Sequence, residues 1–348
     1  MTLAGAEITT IGWTIDVSDT PGCLAMGGGH VAIAGVEGSI HLVAHGSGAV
    51  VAQTEVTGGL THAAIRPTGD RVALTGPFGA WLWSTRDDDL RPLIDRAWCS
   101  VARWATDRRL AVAAGRHVEL FDESGARLWR SEQFPSTVTD ISWLGGRHRL
   151  AVASYGGVHI VEPREHGTSS FMPFTGSLLA ICSSPNGRWI VSGNQDATLQ
   201  VFRSDNDTRL EMEGYPSKIS RVSFDSTGRF LANDGAPEVS VWDFGGAGPR
   251  GRAPVLLVSE TDDPPDTIGA LAWQPDAAVL AVGWASGACS TYRILDGSPG
   301  QPLRPQTVLA ELGTEITALA WEPGGRGIAV GGRDGAVRRI ELSTGVQR

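Results

Sequence analysis

The stretch SGNQDATLQVFRSDNDTRL, residues 192–210, reads as a strand, a tight polar turn holding Asp196, a second strand and another turn. Taken alone it is a hairpin. Its significance comes from recurrence, because the same phrase of strand, Gly/Asp turn and hairpin returns along the whole chain. Clear copies start at Val138 (VTDISWLGGRHRLAVASYGGVHIVEP), Leu178, Ile219, Ile268 and Ile316, and weaker ones near Gly22, Leu60 and Cys99. Equivalent inner-strand positions are Met26, Ile65, Trp104, Trp143, Ser183, Phe224, Trp273 and Trp321, spaced by 39, 39, 39, 40, 41, 49 and 48 residues. That period suits one four-stranded blade per copy.

A fourth strand lies between copies, as in AVVAQTEV (49–56), ARLWRSEQF (126–134) and APVLLVSE (253–260). A lone four-stranded sheet cannot cover both of its faces, whereas radial stacking covers them and leaves only short protected edges. The fold expected is all-β: a single eight-bladed β-propeller of antiparallel blades filling residues 1–348, with repeats starting near 22, 60, 99, 138, 178, 219, 268 and 316. The last copy ends in ELSTGVQR without an outer strand, and AEITTIGWTIDV near the N-terminus has no inner partner ahead of it. Residues 1–18 are therefore expected to supply the outer strand of the last blade. Seven blades with an irregular N-terminal segment stay open as an alternative, since PGCLAMGGG (21–29) makes a poor inner strand.

Composition agrees with a turn-rich globular chain: 348 residues, 41% hydrophobic and 19% charged, with 45 Gly and 19 Pro. No amphipathic helical pattern is sustained over ten or more residues. Cys23, Cys99, Cys182 and Cys289 are far apart, without zinc-knuckle spacing, and read as reduced thiols. The N-terminus lacks the basic start and apolar run of a signal peptide, and no segment reaches the ~20 apolar residues of a membrane helix. The expected location is the cytoplasm, with no membrane partner. A formal net charge of -9 opposes broad binding to nucleic acid, although a local basic patch would survive that average.

At this point the chain resembles the WD-repeat (WD40) β-propeller family along essentially its whole length. VWDF (241–244) carries the dipeptide Trp242–Asp243, NQD and GRD place Asp196 and Asp334 in the turns, and SSPNGRW and WEPGGRG match the phrase from inner strand to turn. No copy has Gly-His before the inner strand, so the family's buried Asp-His-Ser-Trp network is expected to be incomplete in every blade. Residues 190–255 also resemble, more faintly, a bacterial WD-repeat subgroup associated with CobW-type metal-chaperone GTPases, which implies a metal-trafficking context.

Other motifs carry less. GAGPRG (246–251) fits G-x-G-x-x-G, but prolines and a further strand follow it where a dinucleotide site needs a helix. His41 and His45 lie four apart on a strand, roughly 13 Å, too far to share an ion. DDD (87–89) and TDDPPD (261–266) read as solvated turns. No nucleophile elbow, catalytic carboxylate pair or H-E-x-x-H motif is present, so a non-catalytic protein without a cofactor is the primary expectation.

Aligned inner strands put Cys23, His62, Val101, Asp140, Ala180, Arg221, Ala270 and Ala318 on the channel side near one mouth. One layer deeper lies a ring of small residues interrupted by Arg103. Cys23, His62 and Asp140 could converge on a metal ion or small ligand, with Arg103 and Arg221 as further channel groups. The hairpin turns on the presumed narrow face offer Phe78, Tyr155, Gln195, Trp284 and Arg333, residue types that concentrate binding energy. The leading functional reading is a scaffold that binds a protein or peptide through this face, as a monomeric propeller within a complex. A channel site for a metal or small molecule, enzymatic or metal-trafficking, is the rival.

Overall fold

The computed structural model describes residues 7–105, 108–145, 148–163, 168–206, 208–260 and 266–344. Eight antiparallel sheets follow one another in chain order, and the inner strand of each lies beside that of the next. Inner strands run Pro21–Gly27, His62–Ile65, Cys99–Trp104, Val138–Trp143, Leu178–Ser183, Val222–Phe224, Ile268–Trp273 and Ile316–Trp321. Numbering blades 1 to 8 in that order, the strands within a blade are a (inner), b, c and d (outer). The only helix among the described residues is a 3-10 turn, Ile294–Asp296. The eight-bladed form holds, including the blade built on PGCLAMGGG, and the seven-blade alternative falls. In blade 6 the two-residue strand Pro302–Leu303 adds to the outer edge in parallel.

Burial explains the pattern of each repeat. Strands b are apolar on both sides because sheets stack on both of their faces: Leu150–Ser154 and Gly327–Gly332 are buried throughout. Strands d, such as Val50–Glu55, alternate between exposed and half-buried, as expected at the circumference. The inner-strand tryptophans bind the ring together. The indoles of Trp104, Trp143, Trp273 and Trp321 donate to the carbonyls of Ala64, Arg103, Ser223 and Ala272 at 2.9–3.1 Å, each on the preceding blade's inner strand. A second belt runs from side-chain hydroxyls to the neighbouring inner strand: Thr61 to Cys99, Ser100 to Val138 and Thr317 to Pro21.

Closure uses both chain ends. Strand Glu7–Asp16 pairs antiparallel with Ala336–Thr344, giving blade 8 the strand order d-c-b-a. Trp13, on this strand, reaches across to blade 1, where its indole donates to the His45 carbonyl at 2.8 Å.

Candidate functional site: the face of hairpin turns

Each b–c turn is hydrogen-bonded to a d–a connector, so turns and connectors together form one face of the ring. The amides of Arg96, Gly115, Gln195, Ala285 and Arg333, for example, donate to Phe78, Trp98, Ser177, Thr267 and Glu315. On blades 1 to 4 this face carries an arc of exposed apolar side chains: Val36, Phe78, Trp98 and Tyr155, each about half exposed (46–60%). Phe78 lies over Gly58, whose φ of +93° suits glycine and where an added Cβ would come within 2.3 Å of the ring. On blades 5, 7 and 8 the equivalent turns present Gln195, Asp196, Ser286, Arg333 and Asp334, all exposed and polar, while the blade 6 turn exposes Pro237. Arg333 is held by Glu315, its Nε at 2.7 Å from the carboxylate.

The rim set expected from sequence therefore divides. Phe78, Tyr155, Gln195 and Arg333 are exposed on the turn face, whereas Trp284 is not: at 1% exposure it sits in the core of blades 6 and 7 against Leu280, Val282 and Tyr292. Trp284 ends strand Val279–Trp284, one residue short of the turn, and its side chain falls on the side packed between sheets. Trp98 was missed because it lies in a connector rather than in a hairpin turn. A tryptophan just before an inner strand, outside the alternating pattern, is the signal that could have found it.

The channel residues are tied into the blades by hydrogen bonds. Asp140 accepts from Arg103 Nη2 (3.0 Å), from its neighbour's Ile141 amide (2.8 Å) and from the Ile181 amide of blade 5 (2.9 Å), while Arg103 Nε donates to the Ile141 carbonyl. Arg103 and Asp140 thus staple blades 3, 4 and 5. Arg221 pairs with Asp234 at 3.1 Å and donates to the Gly269 carbonyl of blade 7. The Cys23 thiol points to the Ala63 carbonyl at 3.3 Å, and burial raises its pKa. His62 has a buried Nδ1 without a hydrogen-bond partner, and burial, with the Arg103 charge, lowers its pKa to about 3. No three His, Cys, Asp or Glu side chains are placed to hold a metal among the described residues. Asp140 instead spends three of its acceptor sites on its arginine and two amides. A repeated β-bulge shapes this wall, shifting register just before Cys23, Val101, Asp140, Ala180, Ala270 and Ala318.

The remaining motif residues serve turns. Asp196 accepts from Thr198 Oγ1 (2.8 Å) and Asp334 from the Ala336 amide (3.1 Å). Asp87 and Asp88 accept from Ser84 and Trp83, and residues 261–265 lie outside the described residues. The loop containing GAGPRG joins strands Val239–Asp243 and Val255–Leu257 without a helix. His45 approaches Glu322 at 2.6 Å, away from any partnership with His41. In place of a histidine-centred network, the Trp242 indole donates to the Tyr215 hydroxyl (2.9 Å), which reaches Asn233 (3.2 Å).

The WD domain, G-beta repeat family matches residues 168–203 and 305–339. Each match begins at the outer strand of one blade and runs into the next, the same offset that leaves the last blade to be completed by the N-terminal strand. The chain is an eight-bladed β-propeller in which two repeats match the WD domain family. The computationally designed Ika8 protein is similar with a TM-score of 0.73 at 16% identity, over 94% of this chain and 97% of that one. A chain of the Mitotic Checkpoint Complex is similar with a TM-score of 0.64, also at 16% identity, over 99% and 98%. At that identity the likeness is one of fold. SEC12-like protein 2 of Arabidopsis thaliana is 33% identical over 69 residues, which cover 20% of the propeller and 18% of that protein.

Proposed function

We propose that this propeller is a non-catalytic scaffold that binds a protein or peptide partner through the face of b–c turns, the face the sequence suggests is the narrow one. The observation that carries the reading is the arc of Val36, Phe78, Trp98 and Tyr155. Aromatic side chains bury large areas while freezing few rotamers, and several of them on one rim are the composition of an interface core. Polar groups on blades 5, 7 and 8 would form the rim of such an interface. WD-repeat propellers are generally interaction scaffolds, and one structural neighbour is a component of the Mitotic Checkpoint Complex, in keeping with work inside an assembly.

The test is capture of the native co-purifying partner by Phe78→Ala/Tyr155→Ala, compared with the channel pair His62→Ala/Asp140→Ala at matched folded concentration. Loss of one hot-spot side chain costs about 2 kcal/mol, roughly thirtyfold in affinity, so the rim variant should lose capture and the channel variant keep it. The reverse result would reject the scaffold reading in favour of a channel site.

A further inference from the structure

Between blades 2 and 3 an outward-facing cleft of about 490 Å³ opens beside Trp98. One wall is apolar, made by Leu93 and Ile94 of the outer strand Asp89–Asp95 and by Ala97 of the following connector. The other wall is basic, made by Arg116 of the b–c turn and by Arg127 and Arg130 of the outer strand Arg127–Arg130.

The buried carboxylate of Glu119 organises this wall. Its two oxygens lie 3.3 Å from Arg127 Nη1 and 3.3 Å from Arg130 Nε, with the Glu119 side chain 7% exposed and the arginines 58% and 50% exposed. A guanidinium has five N–H donors in a planar fork. Glu119 engages one nitrogen of each, which fixes both guanidiniums while leaving most of their donors accessible, and it neutralises only one of the two charges. Arg116 donates through Nε to the Phe134 carbonyl at 2.7 Å and forms no salt bridge among the described residues. Arg96 stands on the rim, 3.4 Å from Asp95. Four arginines thus face Asp95 and Glu119, or three carboxylates if the exposed Glu132 of the adjoining connector is included. This is a positive site in a chain whose formal net charge is -9.

We propose that this cleft is a second recognition site, for an acidic peptide segment of a protein partner that carries an aliphatic anchor. Carboxylates of the segment would meet the open forks of Arg127 and Arg130 and the charge of Arg116, and leucine-type side chains would cover Leu93, Ile94 and Ala97. The proposal rests on the reading of the propeller as a protein-binding scaffold and extends it, since Ala97 adjoins Trp98 and the cleft continues the apolar arc over the rim. Charge complementarity sets the sign of the partner. The apolar wall favours a peptide over nucleic acid, which takes rows of cations tracking a phosphate backbone.

Fluorescence anisotropy with a labelled peptide of Glu-Glu-Leu repeats tests the site, beside a matched Gln-Gln-Leu peptide and an oligothymidine. The acidic peptide should bind saturably, at least about tenfold more tightly than the glutamine peptide. Its affinity should fall as salt rises from about 0.01 to about 0.15 M. Ala97→Glu and Arg116→Glu should each weaken it by about tenfold or more, with melting temperatures confirming a folded ring. Arg116→Gln serves if the charge reversal disturbs folding, with a smaller loss in the same direction. The cleft variants are read by peptide binding and the Phe78/Tyr155 variant by capture of the co-purifying partner, so the cleft can fail while the scaffold reading stands, and the reverse. The proposal is overturned by absent saturation, by equal binding of the glutamine peptide, by tighter binding of oligothymidine, or by folded cleft variants that bind as wild type.

Discussion

Replacing Trp13 by alanine tests how the ring is closed. Trp13 lies on the N-terminal strand opposite Arg339, yet its indole packs on blade 1, so one side chain couples blade 8 to the blade that begins the repeat series. The ring is 7% exposed and sits among Val17, Leu24, Val31, Val43 and Val337. Removing a buried tryptophan costs about 3–5 kcal/mol through lost burial and the cavity left behind. The lost Nε1 bond to the His45 carbonyl, near the surface, accounts for about 1 kcal/mol of that. Trp13→Phe, which keeps much of the burial and loses the bond, should cost about 1–2 kcal/mol. Gly48→Ala probes the same contact from the other side. Its φ is +73°, and an added Cβ would lie 2.7 Å from the Trp13 ring. Urea denaturation gives the stability change, and hydrogen exchange over Ala336–Thr344 reports whether the closing strand has let go. The argument fails if Trp13→Ala costs less than about 1 kcal/mol, the range of ordinary surface substitutions, with exchange in 336–344 unchanged.

Among the inner-strand tryptophans, Trp321 is the most buried at 8% exposure, so Trp321→Ala should cost about 3–5 kcal/mol and the half-buried Trp143 and Trp273 less; thermal denaturation that ranks them the other way would contradict the packing. Asp140→Ala leaves Arg103 and two inner-strand amides without their acceptor and should cost about 2–4 kcal/mol, a loss Asp140→Asn recovers in part, as read by urea midpoint. His62, with its folded pKa near 3 against about 6.5 unfolded, contributes stability that is complete above about pH 6.5 and lost as pH falls towards 3, because the unfolded chain then takes up the proton more readily. His62→Leu should therefore remove up to about 5 kcal/mol of acid sensitivity between about pH 6.5 and pH 3, and identical pH profiles for the two proteins would count against the buried neutral ring.

The ring was legible in the sequence because its causes are local and repeated. Alternation, Gly/Asp turns and a fixed spacing return in every copy, and a strand missing at one end with a spare at the other implied closure. Phe78, Tyr155, Gln195 and Arg333 were also readable, since a turn residue has few places to go. Trp284 shows where that logic stops: the direction of a side chain at a strand end depends on pleat and on the neighbouring sheet, and a shift of one residue exchanges surface for core. The hydrogen-bond partners of the channel set were beyond the sequence for a related reason. Alignment could put Cys23, His62 and Asp140 on inner strands, but the partners of Asp140 come from blades 3 and 5, and recurring bulges re-aim the residues that follow them. The cleft between blades 2 and 3 had no sequence signature, because Leu93, Arg116, Glu119 and Arg130 belong to different strands and become neighbours only when two blades stack. Sequence by itself determined the unit and how the ring closes, and favoured eight units over seven. Which side chains meet across blades was decided by tertiary packing, because those distances depend on the stacking of whole sheets.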